Sequence, residues 1–194
     1  MGTYCFDHGG YNLDAGRLFP SEKASVGPGE NYAYPNLPPL VSHMPVPEWP
    51  LCIAIPKHGE VVCGGKETAL FQAYTPIPAN EVDEQCKWIL KCLLPALLTE
   101  DFEAFCLAVE RGMELGFRAR EIRTYGEFQR EAMDRMRSAG LRGVGMTSFG
   151  PALFGFTDRP EAAQDALRAL DGCGYFERTF LSAPRNMGAE VVRE

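Results

Sequence analysis

Gly143-Val144-Gly145-Met146-Thr147-Ser148-Phe149-Gly150-Pro151-Ala152-Leu153-Phe154-Gly155-Phe156-Thr157-Asp158-Arg159-Pro160-Glu161 decides the fold, because it holds two strands, their connection and a helix start. Residues 144–147 and 152–157 predict strands, joined by Ser148-Phe149-Gly150-Pro151. Asp158-Arg159-Pro160-Glu161 has capping-box spacing and opens a helix through Ala163, Ala166, Leu167 and Leu170, which Gly172 closes. A further strand is expected over 175–183 and a last short one over 189–192.

Upstream, helices are expected. Asn80 offers an N-cap for a helix whose apolar face is Val82, Cys86, Ile89, Leu90, Leu93 and Leu97, and Pro95 should end or kink it. Thr99 then caps a second helix with the stripe Phe102, Phe105, Cys106, Val109 and Met113. A third, near 125–139, presents Phe128, Ala132, Met133 and Met136 before Gly140. Leu51-Cys52-Ile53-Ala54-Ile55 is apolar throughout and reads as a central strand covered on at least one face. From Leu51 the order is strand, helices, strand, strand, helix, strand. The simplest fit is an α+β fold, the ferredoxin-like split β-α-β layout with helices packed on one sheet face.

The first part is different in character. Twelve of the fifteen prolines lie between Pro20 and Pro95. Residues 10–15 alternate as a strand, and 40–46 and 51–55 are extended runs with Pro47-Glu48-Trp49-Pro50 between them as a hairpin-like turn. Residues 16–39 are too long for an ordinary connection, and read as a lid, a partner-covered segment or a mobile loop. No internal repeat is visible.

Composition narrows the class. The 194 residues are 45% hydrophobic and 23% charged, and 20 glycines with 15 prolines stay below a low-complexity level, so disorder of the whole chain is excluded. The longest apolar stretch, 89–98, is broken by Lys91 and Pro95 and falls short of the roughly 18–20 residues of a membrane span. No secretory signal is visible, so a soluble, cytoplasmic protein is expected. With 19 basic and 26 acidic residues, a net charge of −7 gives no general attraction to nucleic acid or membrane. The seven cysteines form no C-x-x-C pair; Cys52, Cys86 and Cys106 sit in apolar patterns and read as buried reduced thiols. Arg118, Arg120, Arg123, Arg130, Arg135 and Arg137 read chiefly as a solvated basic face.

Three segments could carry chemistry. Gly143 to Pro151 combines three glycines, two hydroxyls and a proline between strands, so its backbone N–H groups could converge on an anion; a plain tight turn explains most of the same pattern. It is no Walker A loop, since no Gly-Lys-Ser/Thr follows. Asp7-His8-Gly9-Gly10 puts a histidine on a turn entering a strand, as an acid–base group, a phosphate donor or a mere surface turn. Pro184-Arg185-Asn186-Met187-Gly188 could bind phosphate through its arginine or simply anchor the C-terminus. No spacing resembles a metal site.

The order of these segments is more specific than any one of them. Phe6-Asp7-His8-Gly9-Gly10-Tyr11, Pro38-Pro39-Leu40 with Pro47-Glu48-Trp49, Gly143 to Phe156, and Pro184-Arg185-Asn186-Met187-Gly188-Ala189-Glu190-Val191 together resemble the β-ribofuranosylaminobenzene 5′-phosphate synthase family of the GHMP kinase superfamily. The resemblance runs over essentially the whole chain. Where that family often has Gly-Val-Gly-Gln-Ser-Ser-Trp-Gly-Pro, this chain departs at Met146, Thr147 and Phe149. The superfamily's amino-terminal phosphate loop, Pro-x-x-x-Gly-Leu-Gly-Ser-Ser, is not present.

The resemblance implies the carboxy-terminal part of such an enzyme. Residues 1–50 would be a remnant of the amino-terminal GHMP domain, and 51–194 a GHMP kinase C-terminal-like domain. The chain would be a fragment, a truncated product or one half of a split enzyme, paired with a separate amino-terminal-half chain or as a homodimer. The complete enzyme joins a 4-aminobenzoate-type arylamine to 5-phosphoribosyl 1-diphosphate, losing carbon dioxide and diphosphate, in methanopterin biosynthesis. The substrate-contacting candidates are Gly143, Gly145, Met146, Thr147, Ser148, Phe149 and Gly150, with His8, Gly9, Gly10, Arg185 and Asn186 second; no catalytic base is assigned. No resident cofactor is implied, although Mg could accompany the diphosphate. An ATP-dependent small-molecule kinase and a non-catalytic ligand- or partner-binding domain are the rival expectations.

Overall fold

A short helix, α1 (Gly2–His8), turns at Gly9 and Gly10 into β1 (Tyr11–Asp14), which pairs antiparallel with β2 (Leu40–Met44) in a two-stranded sheet. After β3 (Leu51–Pro56) come α2 (Gly65–Tyr74) and α3 (Ala79–Trp88). One π turn, Ile89–Leu93, carries α3 into α4 (Leu94–Thr99), followed by α5 (Phe102–Met113), α6 (Gly116–Thr124) and α7 (Gly126–Ser138). Next are β4 (Arg142–Met146), β5 (Leu153–Phe156), α8 (Pro160–Gly172) and β6 (Phe176–Ser182). The structure, a computed structural model, describes residues 2–15, 38–58, 62, 64–148 and 150–192. Most of the long proline- and glycine-rich stretch, together with Cys63 and Phe149, lies outside them.

β3 to β6 form one antiparallel sheet in the order β4-β5-β3-β6. Numbered from β3, this is the split β-α-β-β-α-β arrangement, with β5 inserted between β3 and β4. β3 shows why the sheet has two unlike faces: Cys52 and Ala54 are fully buried, whereas Leu51, Ile53 and Ile55 between them are only partly covered. The buried face receives Ala132, Met133 and Met136 of α7 and Ala166 and Leu170 of α8. Alanines in those helices let them approach the sheet closely. On the other face Ile53 stands between Phe154 and Phe180, and Phe180 is 44% exposed.

A second core joins the first part of the chain to the helices. Met44 and Trp49 pack with Leu93, Leu97, Phe105 and Cys106, and the Trp49 ring meets Phe102 edge-on. The link at 47–50 is therefore not a hairpin turn: β2 pairs with β1, β3 pairs with β5 and β6, and the buried tryptophan holds the link between the two sheets. Completely burying an indole contributes on the order of 3 kcal/mol, more than a turn's hydrogen bond.

Other local expectations are corrected. The helix begins at Ala79, with Pro78 and not Asn80 at its cap. Of the two outcomes expected at Pro95, an end does not occur: the helical run continues, with a π turn interrupting its regularity just before the proline while Leu93, Ala96 and Leu97 stay buried. Asp101, not Thr99, caps α5 through a 3.0 Å bond from Ala104 N–H; the Thr99 hydroxyl instead donates to Pro95 O. α8 starts without a side-chain cap, so the capping box does not form. Residues 189–192 are not a strand, although Ala189 N–H donates to Phe6 O. Cys86 is exposed, whereas burial pushes the thiols of Cys52 to about 11 and Cys106 to about 12. α1, α2 and α6 were not legible as separate helices. No helix among the described residues is long and apolar enough to cross a membrane.

Candidate functional site

Gly143, Gly145 and Met146 belong to β4 itself. The β4–β5 register slips between Arg142 and Gly145, a bulge that frees two N–H groups from the ladder. The carboxylate of Glu110 on α5 accepts both, from Gly143 at 3.0 Å and Val144 at 3.4 Å. Gly143 has φ +58°, and a Cβ there would crowd Cys106. At Gly145 an added Cβ would lie 2.5 Å from the Phe154 ring. Packing thus accounts for these two glycines, and Met146 is buried in the main core.

The turn proper is closed by Thr147, whose N–H and hydroxyl both donate to Ala152 O, at 2.9 and 3.1 Å. Among the described residues the N–H groups of Ser148 and Gly150 have no hydrogen-bond partner, which leaves them as donors at the exposed tip. Two buried side chains brace the turn from below. Glu121 of α6, completely buried, accepts from the Ser148 hydroxyl at 3.3 Å and from Arg118 Nη1 at 2.8 Å. Gln129 of α7 donates to Pro151 O at 2.9 Å, while its Oε1 is buried with no partner among the described residues. Because Arg118 offsets the Glu121 charge, the pair beneath the tip does not repel an anion.

The second group of candidates meets elsewhere. Gly10 N–H donates to Arg185 O at 2.7 Å, and a Cβ on Gly9 would strike the carbonyls of Arg185 and Met187. The Arg185 guanidinium donates to Met187 O and Gly188 O. Asn186 clamps Val46, accepting from its N–H at 2.8 Å and donating to its carbonyl at 2.9 Å. The ring of His8 lies 5.6 Å from that of His43. The cavity beside Asn186 is lined by Glu48 and Glu100, an acidic setting for any phosphate. These contacts anchor the C-terminal segment on the β1 turn.

The two groups are not one pocket. Ala54 faces Leu153 next to the β4–β5 turn, whereas Leu51 faces Ser182, from which the chain runs on to Arg185. They sit at opposite ends of β3, a strand roughly 17 Å long at about 3.3 Å per residue.

A feature that sequence reasoning missed lies nearer the turn. A cavity of about 380 Å³ opens between β1, α3, α5 and β5, walled by Trp88, Phe105, Phe154 and Phe156, with Arg118 at its edge. Arg118, Glu121 and Ser148 form a continuous polar path from this cavity to the turn.

Comparison with known proteins agrees with this architecture. Residues 93–175, which include the turn, match the family model of the GHMP kinases C terminal domain. Over its full length the chain is 33% identical to the β-ribofuranosylphenol 5′-phosphate synthase of Methanothermobacter thermautotrophicus, covering 58% of that protein. It is 32% identical to the synthase of the same name from Archaeoglobus fulgidus, across 98% of this chain and 59% of the relative.

The chain resembles this synthase family along essentially its whole length. It spans little more than half the length of these relatives. A solved homoserine kinase from Cytophaga hutchinsonii superposes on this chain with a TM-score of 0.58 at 17% identity, over 79% of this chain and 48% of the kinase, which shows a shared fold. The relatives' name specifies a phenol, where the sequence reading expected an arylamine.

Proposed function

We propose that this chain forms the carboxy-terminal half of a phosphoribosyl-transferring synthase, acting with the amino-terminal GHMP half on a phosphorylated small molecule. The observation that carries the reading is the β4–β5 turn, where the N–H groups of Ser148 and Gly150 have no hydrogen-bond partner among the described residues and lie over the neutralised Glu121–Arg118 pair. In the reaction, carbon 1 of the ribose loses diphosphate and bonds to a ring carbon of an aromatic acid, which loses carbon dioxide. The acid is a 4-aminobenzoate-type arylamine or the corresponding hydroxybenzoate, whose ring is left as a phenol once carbon dioxide is lost, in line with the relatives' name. Such a step needs preorganised donors for the leaving diphosphate more than a strong nucleophile, and backbone N–H groups supply them without reorganisation. The proposal places the chain in the cytoplasm and in methanopterin synthesis.

The test is reconstitution with an amino-terminal GHMP half that bears the phosphate loop. Release of carbon dioxide and diphosphate from phosphoribosyl diphosphate and the aromatic acid is expected. Turnover of ATP with a small alcohol, and none of phosphoribosyl diphosphate, would overturn the reading in favour of a kinase.

A further inference from the structure

The 380 Å³ cavity falls within the roughly 300–1,000 Å³ of small-ligand pockets. Its walls are aromatic: Trp88 from α3, Phe105 from α5, and Phe154 and Phe156 from β5, which approach one another edge-on. None of the described residues that line it is acidic, and Arg118, paired with Glu121 behind the wall, is the single cation among them. That guanidinium uses Nη1 for Glu121, and among the described residues its other N–H groups have no hydrogen-bond partner. A planar ring would bury its faces against such walls, and a carboxylate on that ring would meet the remaining donors of Arg118.

We propose that this cavity is a binding subsite for a planar aromatic carboxylate, its ring among Trp88, Phe105 and Phe154 and its carboxylate on Arg118. The subsite deepens the synthase reading, on which it rests for the reason such an acid is bound. The Arg118–Glu121–Ser148 path then puts the acid next to the turn assigned to the phosphates. Arg118 contributes by binding, and Glu121 by holding it in place.

Gly112 allows a clean test. It lines the cavity from α5, and a Cβ there meets nothing within 4 Å, so the side chain of Gly112→Leu starts in open space at the cavity wall. The full chain is titrated with benzoate and with benzamide, by calorimetry and by quenching of tryptophan fluorescence. Benzoate is expected to bind at least about tenfold more tightly than its uncharged amide, as a charge-assisted contact requires. Gly112→Leu should abolish binding, and Arg118→Ala should remove the preference for the carboxylate. Because Arg118→Ala removes the cation that faces buried Glu121 and could unfold the chain, Gly112→Leu is decisive in its own right. No benzoate binding, or binding undiminished in Gly112→Leu, overturns the subsite. A parallel titration with phosphoribosyl diphosphate separates the two readings: its failure with benzoate bound counts against the turn, and the reverse counts against the cavity.

Discussion

The Ser148 hydroxyl donates to Glu121, a carboxylate with no exposed surface, across 3.3 Å. An exposed turn is thereby tied to a charge in the interior, and that charge is held by Arg118 at 2.8 Å. Removing either partner should have a different effect.

Ser148→Ala deletes a bond at an exposed position, so it should change stability by less than about 1 kcal/mol. Its effect should fall on ligand affinity at the turn. Glu121→Gln strands Arg118 and should cost on the order of 3 kcal/mol, at the lower end for a broken buried pair because Arg118 keeps some solvent. Urea denaturation with a titration of phosphoribosyl diphosphate reads both. Equal stability losses would refute the distinction.

Gly145 owes its identity to the ring of Phe154. Gly145→Ala should destabilise by about 1–3 kcal/mol through overpacking. Phe154→Leu in the same chain should restore part of the loss, which thermal unfolding of the single and double variants measures. Were Gly145 needed only for a ligand, Gly145→Ala would leave stability intact.

Much of this was legible in sequence, and the misses have a common cause. The sheet and α8 follow from short apolar runs separated by glycine, and the stripe Ala132, Met133 and Met136 foretold the buried face of α7. Glycine is ambiguous, however: Gly143 and Gly145 read as an anion nest or as part of a plain tight turn, and only the positions of Cys106 and Phe154 reveal the close packing around them. Arg118 and Glu121 were unreadable because a polar helix such as α6 looks solvated unless the groups that pair within it are known. The cavity was invisible for a related reason, its walls being about 145 residues apart in sequence at the extremes, Tyr11 and Phe156, and brought together only by the fold. At Pro95 burial of the residues on either side keeps the helical run going, and the proline is met by a π turn before it.

Acid should loosen α3 from α6. Arg120 donates to both oxygens of Glu81, at 2.7 and 3.1 Å, and this bond holds the Glu81 carboxyl below its usual range. A lowered folded-state pKa contributes stability that is present above the unfolded-state value and is lost as pH falls through the folded-state value. Glu81→Gln should therefore lower stability at pH 7 and flatten its dependence on pH below about 4.5, where the unfolded carboxylate protonates. Parallel acid-unfolding curves for the two proteins would contradict this.

The thiols should divide by burial. Cys5, Cys86 and Cys173 are exposed and should react with iodoacetamide in the native protein, whereas Cys52 and Cys106 should resist until it unfolds. Mass spectrometry of briefly alkylated protein locates the adducts, and native labelling of Cys106 would show that the β4–α5 packing opens.

The most direct measurement is an amide NMR titration of the ¹⁵N-labelled chain with phosphoribosyl diphosphate. Resonances of Ser148 and Gly150 should move in proportion to occupancy, with Gly10 and Asn186 unaffected at the far end of β3. Shifts confined to the Gly10–Asn186 end, or no shift at the β4–β5 tip at saturating ligand, would contradict the account.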